Sequence, residues 1–454
     1  MDVLDELRAA SPDDLLRALT VPSRLGERPG LERMHRLLAE LGDPHRGLPV
    51  LHIGGTSGKG STATMAARIL ERAGYRVGLH VKPHLERVEE RFVINGAEIP
   101  TPRLVQMLRA AAPAARRVGP TWYELTVAIA FQYFRAEQVD LAVVEVGLGG
   151  TYDGTNVVQP LVATLTNVGL DHTEILGDTV EQIAADKVGI LKHGAVAVSG
   201  ATQETVREIV ARRCAAVGAP LWQLGAEIGY QVRALEPRGS WFDLFLPGRE
   251  LRDLHLRALG AHQVANAALA VASVEALRGA GFPVPAAAIR AALAAAEIPG
   301  RLEIVDTRPL VVLDGAHNPA KMAALAAALE TLFPGRRITG VLAFKRGHDL
   351  AATLEPILPL LDRAVLTRFD AETDFGPGQS VEPERVAALC TAAGFPDLWQ
   401  IEPDPRRAVD RARAAAGPEG LVCVTGSLYL VGAVRPLFRG GPAFRDALCR
   451  TSSP

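Results

Sequence analysis

Residues Val50–Ala73, VLHIGGTSGKGSTATMAARILERA, decide the fold. Val50–Gly54 is an apolar run of strand length, and Ser61–Ala73 carries apolar residues at helical spacing with Gly74 as a stop. Arg76–Val81 reads as a second strand, so strand, glycine loop, helix and strand form a βαβ unit. The loop itself is Gly54-Gly55-Thr56-Ser57-Gly58-Lys59-Gly60-Ser61. Backbone N–H groups in such a turn converge on a phosphate, and the helix N-terminus adds a partial positive charge. Lys59 offers a point charge for β/γ oxygens, and the Ser61 hydroxyl stands where Mg²⁺ is bound in such loops. The bland alternative is a βα turn with one solvated lysine. The common pattern G-x-x-x-x-G-K-[ST] is not met: Ile53 replaces its first glycine, and Gly60 separates Lys59 from Ser61. That variant points to a group narrower than nucleotide triphosphatases at large.

Outward from the loop the alternation continues. Glu124–Arg135 reads as helix, Val139–Val146 and Leu161–Val168 as buried strands, Thr179–Leu191 as helix, Val196–Ser199 as strand and Glu204–Val217 as helix. Near-continuous apolar strands between helices imply a mostly parallel sheet covered on both faces. Residues 226–259 break the rhythm with period-two patterning and turn residues, so an antiparallel side lobe is expected there. Helices at His262–Gly279 and Pro285–Glu297 lead to Ile298-Pro299-Gly300, where a domain boundary is expected. Strands at Leu310–Leu313, Ile338–Ala343, Ala364–Leu366 and Leu421–Thr425 then alternate with alanine-rich helices. The expected class is α/β: a domain over 1–298 with a mostly parallel sheet, and a smaller Rossmann-like α/β domain over 299–454.

With 454 residues the chain exceeds the roughly 250–300 at which single cores stop growing, which also argues for two domains. A formal charge of −2 argues against a nucleic-acid or membrane-surface protein, while leaving room for a local basic pocket. Four cysteines with no CxxC spacing argue against a disulfide framework or zinc knuckle and fit a reducing cytoplasm. The acidic N-terminus lacks an apolar signal core, and no stretch is apolar enough to cross a bilayer.

Several polar residues sit at strand ends. Glu145 closes the VDLAVVEV strand ahead of Gly147-Leu148-Gly149-Gly150, at the edge where α/β sheets bind ligands. A metal or phosphate site and a structural ion pair are its two readings. Thr166-Asn167-Val168-Gly169-Leu170-Asp171-His172 repeats the logic at the next strand, with His172 as a metal ligand or a structural hydrogen-bonder. Lys187 has apolar neighbours on a helix, and its pattern alone reads as a snorkelling surface lysine. In the second domain Asp314-Gly315-Ala316-His317-Asn318-Pro319 ends a strand and opens a helix. Asp314 suits a ribose or a water and His317 a substrate, against a plain βα turn.

Together these segments resemble the folylpolyglutamate synthase/dihydrofolate synthase family of Mur-type ATP-dependent amide ligases. GGTSGKGS resembles the family's GTNGKGS, Lys82-Pro83-His84-Leu85 with Glu90-Arg91 resembles SPHL…ER, and EVGLGGTYDGTN at Glu145–Asn156 resembles EVGLGGRLDATN. TNVGLDHTEILGDTVEQIAADKVGILK, IPGRLE, DGAHN and TGSLYLVGAVR extend the likeness over roughly residues 20–436. The resemblance implies that Thr56, Ser57, Gly58, Lys59, Gly60 and Ser61 hold ATP, joined by Asn266, Arg301 and Asp314. It implies Ser61, Glu145, His172 and Lys187 as ligands of Mg²⁺, two ions in all, with Lys187 carrying a carbamate that makes it an anion. Thr121, Glu124, Tyr152, Asp153 and Gly154 fall in segments that line the pterin or folate site. Lys59, Lys187, His172 and His317 are the expected catalytic set, and a cytoplasmic monomer is expected.

Three departures stand out. Ser57 replaces the family's asparagine, and Phe344-Lys345-Arg346-Gly347-His348-Asp349 replaces an Asp-Lys-Asp run. The serine before Pro-His-Leu, a neighbour of the metal site, is Lys82. An ammonium cannot ligate Mg²⁺, so that position goes to water or Lys82 turns to a phosphate or carboxylate. The implied reaction is attack of a folate or dihydropteroate carboxylate on the γ-phosphate of ATP, followed by displacement of phosphate by the amine of L-glutamate. Two other readings are a Mur-type ligase for a cell-wall precursor and an ATPase that ligates nothing. The first normally adds an N-terminal nucleotide-sugar domain, and only about fifty residues precede the loop here.

Overall fold

The computed structural model describes residues 11–21, 30–347, 349–373 and 376–439. His348 and Cys449 lie outside the described residues. The chain divides into two compact units. One comprises residues 1–231, 242–255 and 263–296, and the other residues 232–241, 256–262 and 297–454.

The first unit is built on an eight-stranded sheet. Its strands are β1 (Val50–Gly54), β2 (Val77–His80), β3 (Val93–Ile94), β4 (Ala97–Glu98), β5 (Leu141–Glu145), β6 (Val162–Leu165), β7 (Val196–Ser199) and β8 (Leu221–Gln223). Their spatial order is β4-β3-β2-β5-β1-β6-β7-β8. From β2 to β8 every pairing is parallel, and only β2–β3 and β3–β4 run antiparallel. Because side chains alternate along a strand, Val50, Ala142 and Val144 bury one face under helices Pro12–Ala18, Glu32–Glu40, Thr101–Val118 and Trp122–Ala136. The opposite face carries helices Lys59–Arg72 and Ala286–Ala294, which pack on each other, and helix Ala261–Ala276. Thr164 of β6 points that way, its hydroxyl 2.7 Å from that of Ser273.

The order of the strands positions the chemistry. β1 lies between β5 and β6, with Ile53 opposite Glu145 and Gly54 opposite Leu165. The glycine loop after β1, the acid that ends β5 and the turn after β6 therefore emerge side by side at the carboxyl edge of the sheet.

Residues 229–256 form a three-stranded antiparallel sheet, β9 (Gly229–Glu236), β10 (Gly239–Leu246) and β11 (Arg249–Leu256), as the period-two pattern implies. Of this stretch and the residues just after it, 232–241 and 256–262 group with the second compact unit and 242–255 with the first. The second unit holds a six-stranded sheet ordered β12-β13-β19-β14-β15-β18. Here β12 is Glu303–Thr307, β13 Leu310–Leu313, β14 Ile338–Leu342, β15 Leu361–Leu366, β18 Trp399–Ile401 and β19 Leu421–Thr425, and a hairpin of β16 and β17 spans 370–379. All pairings except β12–β13 are parallel. Helices Pro319–Leu332, Pro383–Ala392 and Pro405–Ala416 each start with proline, whose fixed φ suits the first turn.

Candidate functional site

The loop after β1 needs its glycines for two separate reasons. Gly55 and Gly58 have φ of 137° and 80°, the second as cap of helix Lys59–Arg72. Space is also short: a Cβ on Gly55 would fall 2.1 Å from Thr166 Oγ1, and one on Gly58 would fall 2.2 Å from Asn266 Oδ1. The neighbouring turn braces the loop. Ser57 N–H donates to Asn167 Oδ1 over 2.8 Å, Thr56 N–H to the Asn167 carbonyl over 2.9 Å, and the Thr166 hydroxyl to the Ser57 carbonyl over 2.6 Å. Thr166 and Asn167 thus shape the glycine loop, a role that appears only once β6 is seen beside β1. Asn266 is buried beside Gly58 and donates to Gln263 Oε1 over 3.0 Å.

Lysines crowd this loop. Lys59 Nζ folds back to donate to the carbonyls of Gly55 and Thr56 at 3.1 and 3.2 Å. Burial lowers its pKa, with Glu145 acting in the opposite sense. Lys187 reaches the same Gly55 carbonyl over 3.1 Å from the end of helix Val180–Lys187. At 4% exposure it is not the surface lysine its sequence pattern suggests. Burial, then the Lys59 charge, pulls its pKa to about 7. The glycine run after Glu145 makes this approach possible. A Cβ on Gly150 would lie 2.7 Å from Lys187 Cα, and one on Gly149 would lie 2.3 Å from Asp186 Oδ2. Thr151 completes the dock, its N–H and hydroxyl donating to the Asp186 carbonyl at 3.0 and 2.8 Å.

Glu145 is buried, and its Oε2 lies 3.2 Å from the Cβ position of Gly60. The same oxygen accepts the Lys82 backbone N–H over 2.9 Å. Ser61, in the first turn of the loop helix, is buried too. His172 caps the short helix Thr173–Leu176 with φ 51° and lies 3.7 Å from Glu174 Oε1. Its side chain is 38% exposed, and partial desolvation lowers its pKa. Asp171 acts electrostatically on Lys59, Lys187 and His172 alike, a contribution that sequence reading did not single out.

Among the described residues no three His, Cys, Asp or Glu side chains gather into a metal cage. Mg²⁺ does not ask for one: it keeps waters and takes one or two carboxylates plus substrate phosphates. A buried carboxylate and a buried hydroxyl flanking a glycine loop are the oxygen donors such an ion uses. Glu145 and Ser61 therefore fit it. Lys187 offers only nitrogen as an unmodified amine.

A second network lies on the opposite face of β1. Asp153 Oδ2 accepts the Leu148 N–H over 2.8 Å, and Oδ1 accepts the Thr155 N–H over 3.0 Å, the Thr155 hydroxyl and the Tyr123 hydroxyl over 3.2 Å. Since Thr155 spends its proton on Asp153, the contact between His52 Nε2 and Thr155 Oγ1 at 2.8 Å makes Nε2 the donor. Complete burial holds His52 down to about 3, so it stays neutral. Thr121 and Glu124 form a capping box: Glu124 Oε2 accepts the Thr121 N–H over 2.8 Å, and also takes Arg33 Nε over 2.7 Å. Tyr152 is 49% exposed, and Gly154 follows Asp153 at the start of a short 3₁₀ turn.

In the second unit Asp314 is buried at the end of β13, accepting the N–H groups of Leu302 and Ala316 at 2.9 and 2.8 Å. Arg301 lies against Gly315, its guanidinium 2.8 Å from where a Cβ would be. His317 Nδ1 lies 2.7 Å from the Gly315 carbonyl, and its Nε2 lies 3.0 Å from Lys321 Nζ. A carbonyl only accepts and an ammonium only donates, so the proton is on Nδ1.

Comparison with known proteins accords with this geometry. Residues 53–274 match the Mur ligase middle domain, and residues 300–428 match the Mur ligase glutamate ligase domain. A dihydrofolate synthase/folylpolyglutamate synthase of Bacillus subtilis is 32% identical across 91% of this chain and 95% of its own length. Among solved structures, Mycobacterium tuberculosis folylpolyglutamate synthase complexed with ADP and AMPPCP superposes with a TM-score of 0.85 at 33% identity, covering 91% of this chain and 96% of that one. Escherichia coli FolC in complex with DHPP and ADP gives a TM-score of 0.83 at 30% identity, covering 95% and 98%.

Proposed function

The chain belongs to the folylpolyglutamate synthase/dihydrofolate synthase family of Mur ligases, and from that premise we propose how this ATP-dependent amide ligase works and on what. Its substrates are ATP, L-glutamate and a pterin-bearing carboxylate, either dihydropteroate or a reduced folate. The observation that carries the reading is the convergence on one glycine loop of Lys59, Lys187 and the Glu145 carboxylate. Phosphoryl transfer is chiefly positioning and charge neutralisation, and this loop supplies both.

The phosphates of ATP lie on the N–H groups of the loop and at the start of helix Lys59–Arg72, with Lys59 countering the β/γ oxygens. Asn266 flanks Gly58 at the nucleotide, and Arg301 and Asp314 also contact it. The substrate carboxylate attacks the γ-phosphorus, giving an acyl phosphate and ADP. The neutral amine of L-glutamate then attacks the acyl carbon, the C–O bond breaks with its electron pair leaving on phosphate, the nitrogen gives up one proton to the departing phosphate, and an amide remains. The substrate provides the nucleophile, so no catalytic serine or cysteine is needed. His317, a neutral imidazole fixed by Gly315 and Lys321, orients a substrate. Bound Mg²⁺ would neutralise phosphate charge as a Lewis acid. Ser61 and Glu145 would hold it, joined by His172.

Lys187 serves as a carbamate. Only an unprotonated amine adds CO₂, and an amine drawn to about 7 is substantially unprotonated near neutrality. The product is an anion that would offset Lys59 and would supply oxygen donors to a bound Mg²⁺. Asp153 and Tyr123, with Gly154 and Tyr152, line the pterin site, and Thr121 and Glu124 hold its helix in place. The protein works as a cytoplasmic monomer. The test is phosphate release measured with each substrate omitted in turn. Release that needs both L-glutamate and a pterin carboxylate supports the ligase, and release indifferent to them refutes it.

A further inference from the structure

Two segments of the first unit meet outside its sheet. Residues 151–158 lie between the end of β5 at Glu145 and the start of β6 at Val162, and residues 186–192 run from the end of helix Val180–Lys187 toward β7. The first carries Asp153 and the second carries Lys187. Neither contains a strand, so no ladder sets one against the other. Three ties do so instead. Thr151 donates its N–H and hydroxyl to the Asp186 carbonyl at 3.0 and 2.8 Å. The Asn156 amide nitrogen reaches the carbonyls of Thr151 and Gly189 at 3.0 and 3.4 Å. Lys192 Nζ donates to the carbonyls of Asn156 and Val158, each over 2.6 Å.

The Lys192 tie is the strongest of the three. Asn156 and Val158 stand at the carboxyl end of the 3₁₀ turn Gly154–Val157, where carbonyls lack N–H partners within the turn and a cation satisfies them. Hydrogen bonds from an ammonium are about twice as strong as neutral ones. The same charge reaches the turn by a second route: burial first, then Lys192, keeps His52 neutral, and His52 donates to Thr155. We infer that Lys192 is a positioning residue of the ligase, holding the Gly154–Val157 turn against the Lys187 segment and so fixing Asp153 where the pterin substrate binds. This inference rests on the ligase reading given above and on the place it gives Asp153. The glycine loop is braced separately, by Thr166 and Asn167, so the nucleotide does not depend on this tie.

The experiment uses the full chain as Lys192→Met, Lys192→Arg, Asp153→Ala and the double variant Asp153→Ala/Lys192→Met, with Gly42→Ala as a destabilised control. Ligation is followed with dihydropteroate or, if that is not ligated, tetrahydrofolate. Amide exchange is read by mass spectrometry on peptides spanning 147–158 and 50–62. In Lys192→Met the first peptide should exchange about tenfold faster or more, while the second keeps its wild-type rate. The KM for the pterin substrate should rise about tenfold or more, with nucleotide affinity within about threefold of wild type. Lys192→Arg should recover most of both. Because Lys192 acts through Asp153, adding Lys192→Met to Asp153→Ala should raise that KM by no more than about threefold further. Unchanged exchange over 147–158, a full further rise in the double variant, or the same rise in Gly42→Ala each overturns the inference. Should Lys192→Met fail to fold, Lys192→Gln is put through the same comparisons. A wild type that ligates glutamate to neither compound overturns the ligase reading itself, and the exchange measurement then still decides whether Lys192 fixes the turn.

Discussion

Lys187 and Gly55, 132 positions apart in sequence, meet through a 3.1 Å hydrogen bond from the lysine Nζ to the glycine carbonyl. The contact draws a buried amine onto the glycine loop, where a second lysine already donates to the same oxygen. Two ammonium groups on one carbonyl repel each other, and burial first, then that repulsion, depresses the pKa of Lys187. The proposed carbamate would turn the repulsion into attraction. Lys187→Met should lower kcat on the order of 10²–10³-fold, comparable to removing one charge-stabilising group from an active site. Acetate or formate added at high concentration should restore part of the rate in that variant but not in Lys59→Met. Steady-state assays with and without the added carboxylate decide the matter.

His52 makes acid stability a second test. Its folded pKa of about 3 lies below the unfolded value of 6.5. Between those limits the unfolded chain binds the extra proton, so stability rises with pH through the window and is lost as pH falls. Over the 2.5 units from 6.5 to 4, the share due to His52 is about 3 kcal/mol. His52→Gln retains a donor toward Thr155 but does not titrate. Its unfolding free energy in urea should therefore fall less between pH 7 and pH 4 than that of the wild type, by about that amount.

Gly58→Ala tests the geometry of the loop. Its φ of 80° strains any L side chain, and the new methyl would lie 2.2 Å from Asn266 Oδ1. Gly42 has the same φ of 80° with nothing within 4 Å of its Cβ position, so Gly42→Ala is the control. Both should lose about 1–2 kcal/mol of stability from backbone strain. Gly58→Ala alone should also weaken ATP binding tenfold or more, read by titration of a fluorescent nucleotide.

Asp153→Ala should separate the two networks. Leu148 N–H, Thr155 N–H and the Tyr123 hydroxyl lose their acceptor, at a cost of about 2–4 kcal/mol. The KM for the pterin substrate should rise at least tenfold, while nucleotide affinity stays within threefold of wild type. Equal weakening of both ligands would show that the network serves the fold as a whole.

Much of this was legible in the chain itself. The order strand, glycine loop, helix marks the proposed phosphate site because each part is local. Glu145 declares itself as an acid ending an apolar strand, and the register of β5 on β1 then carries it to the loop. Lys187 was not legible from its surroundings in sequence. Its burial depends on Gly149 and Gly150 letting a distant helix end approach, a contact between segments that no local pattern encodes. The helix Thr101–Val118 is hidden for another reason: it contains Pro113, which usually ends helices. The edge strands β12 and β18 are short and only half-buried, so they lack the continuous apolar run that marks β13 and β19. Asp171 falls in a strand-end run that the sequence marks, but its own part is not legible there, because it acts through charge on Lys59 and Lys187, which lie on other elements.

If the pterin carboxylate is phosphorylated before glutamate is joined to it, one of its oxygens must leave with the phosphate. The most direct test labels that carboxylate with oxygen-18 and follows one round of ATP-dependent ligation by mass spectrometry of the phosphate released. Transfer of one labelled oxygen to phosphate, with equimolar ADP and glutamylated product, is the predicted result. Unlabelled phosphate, or phosphate formed without glutamylated product, would contradict it.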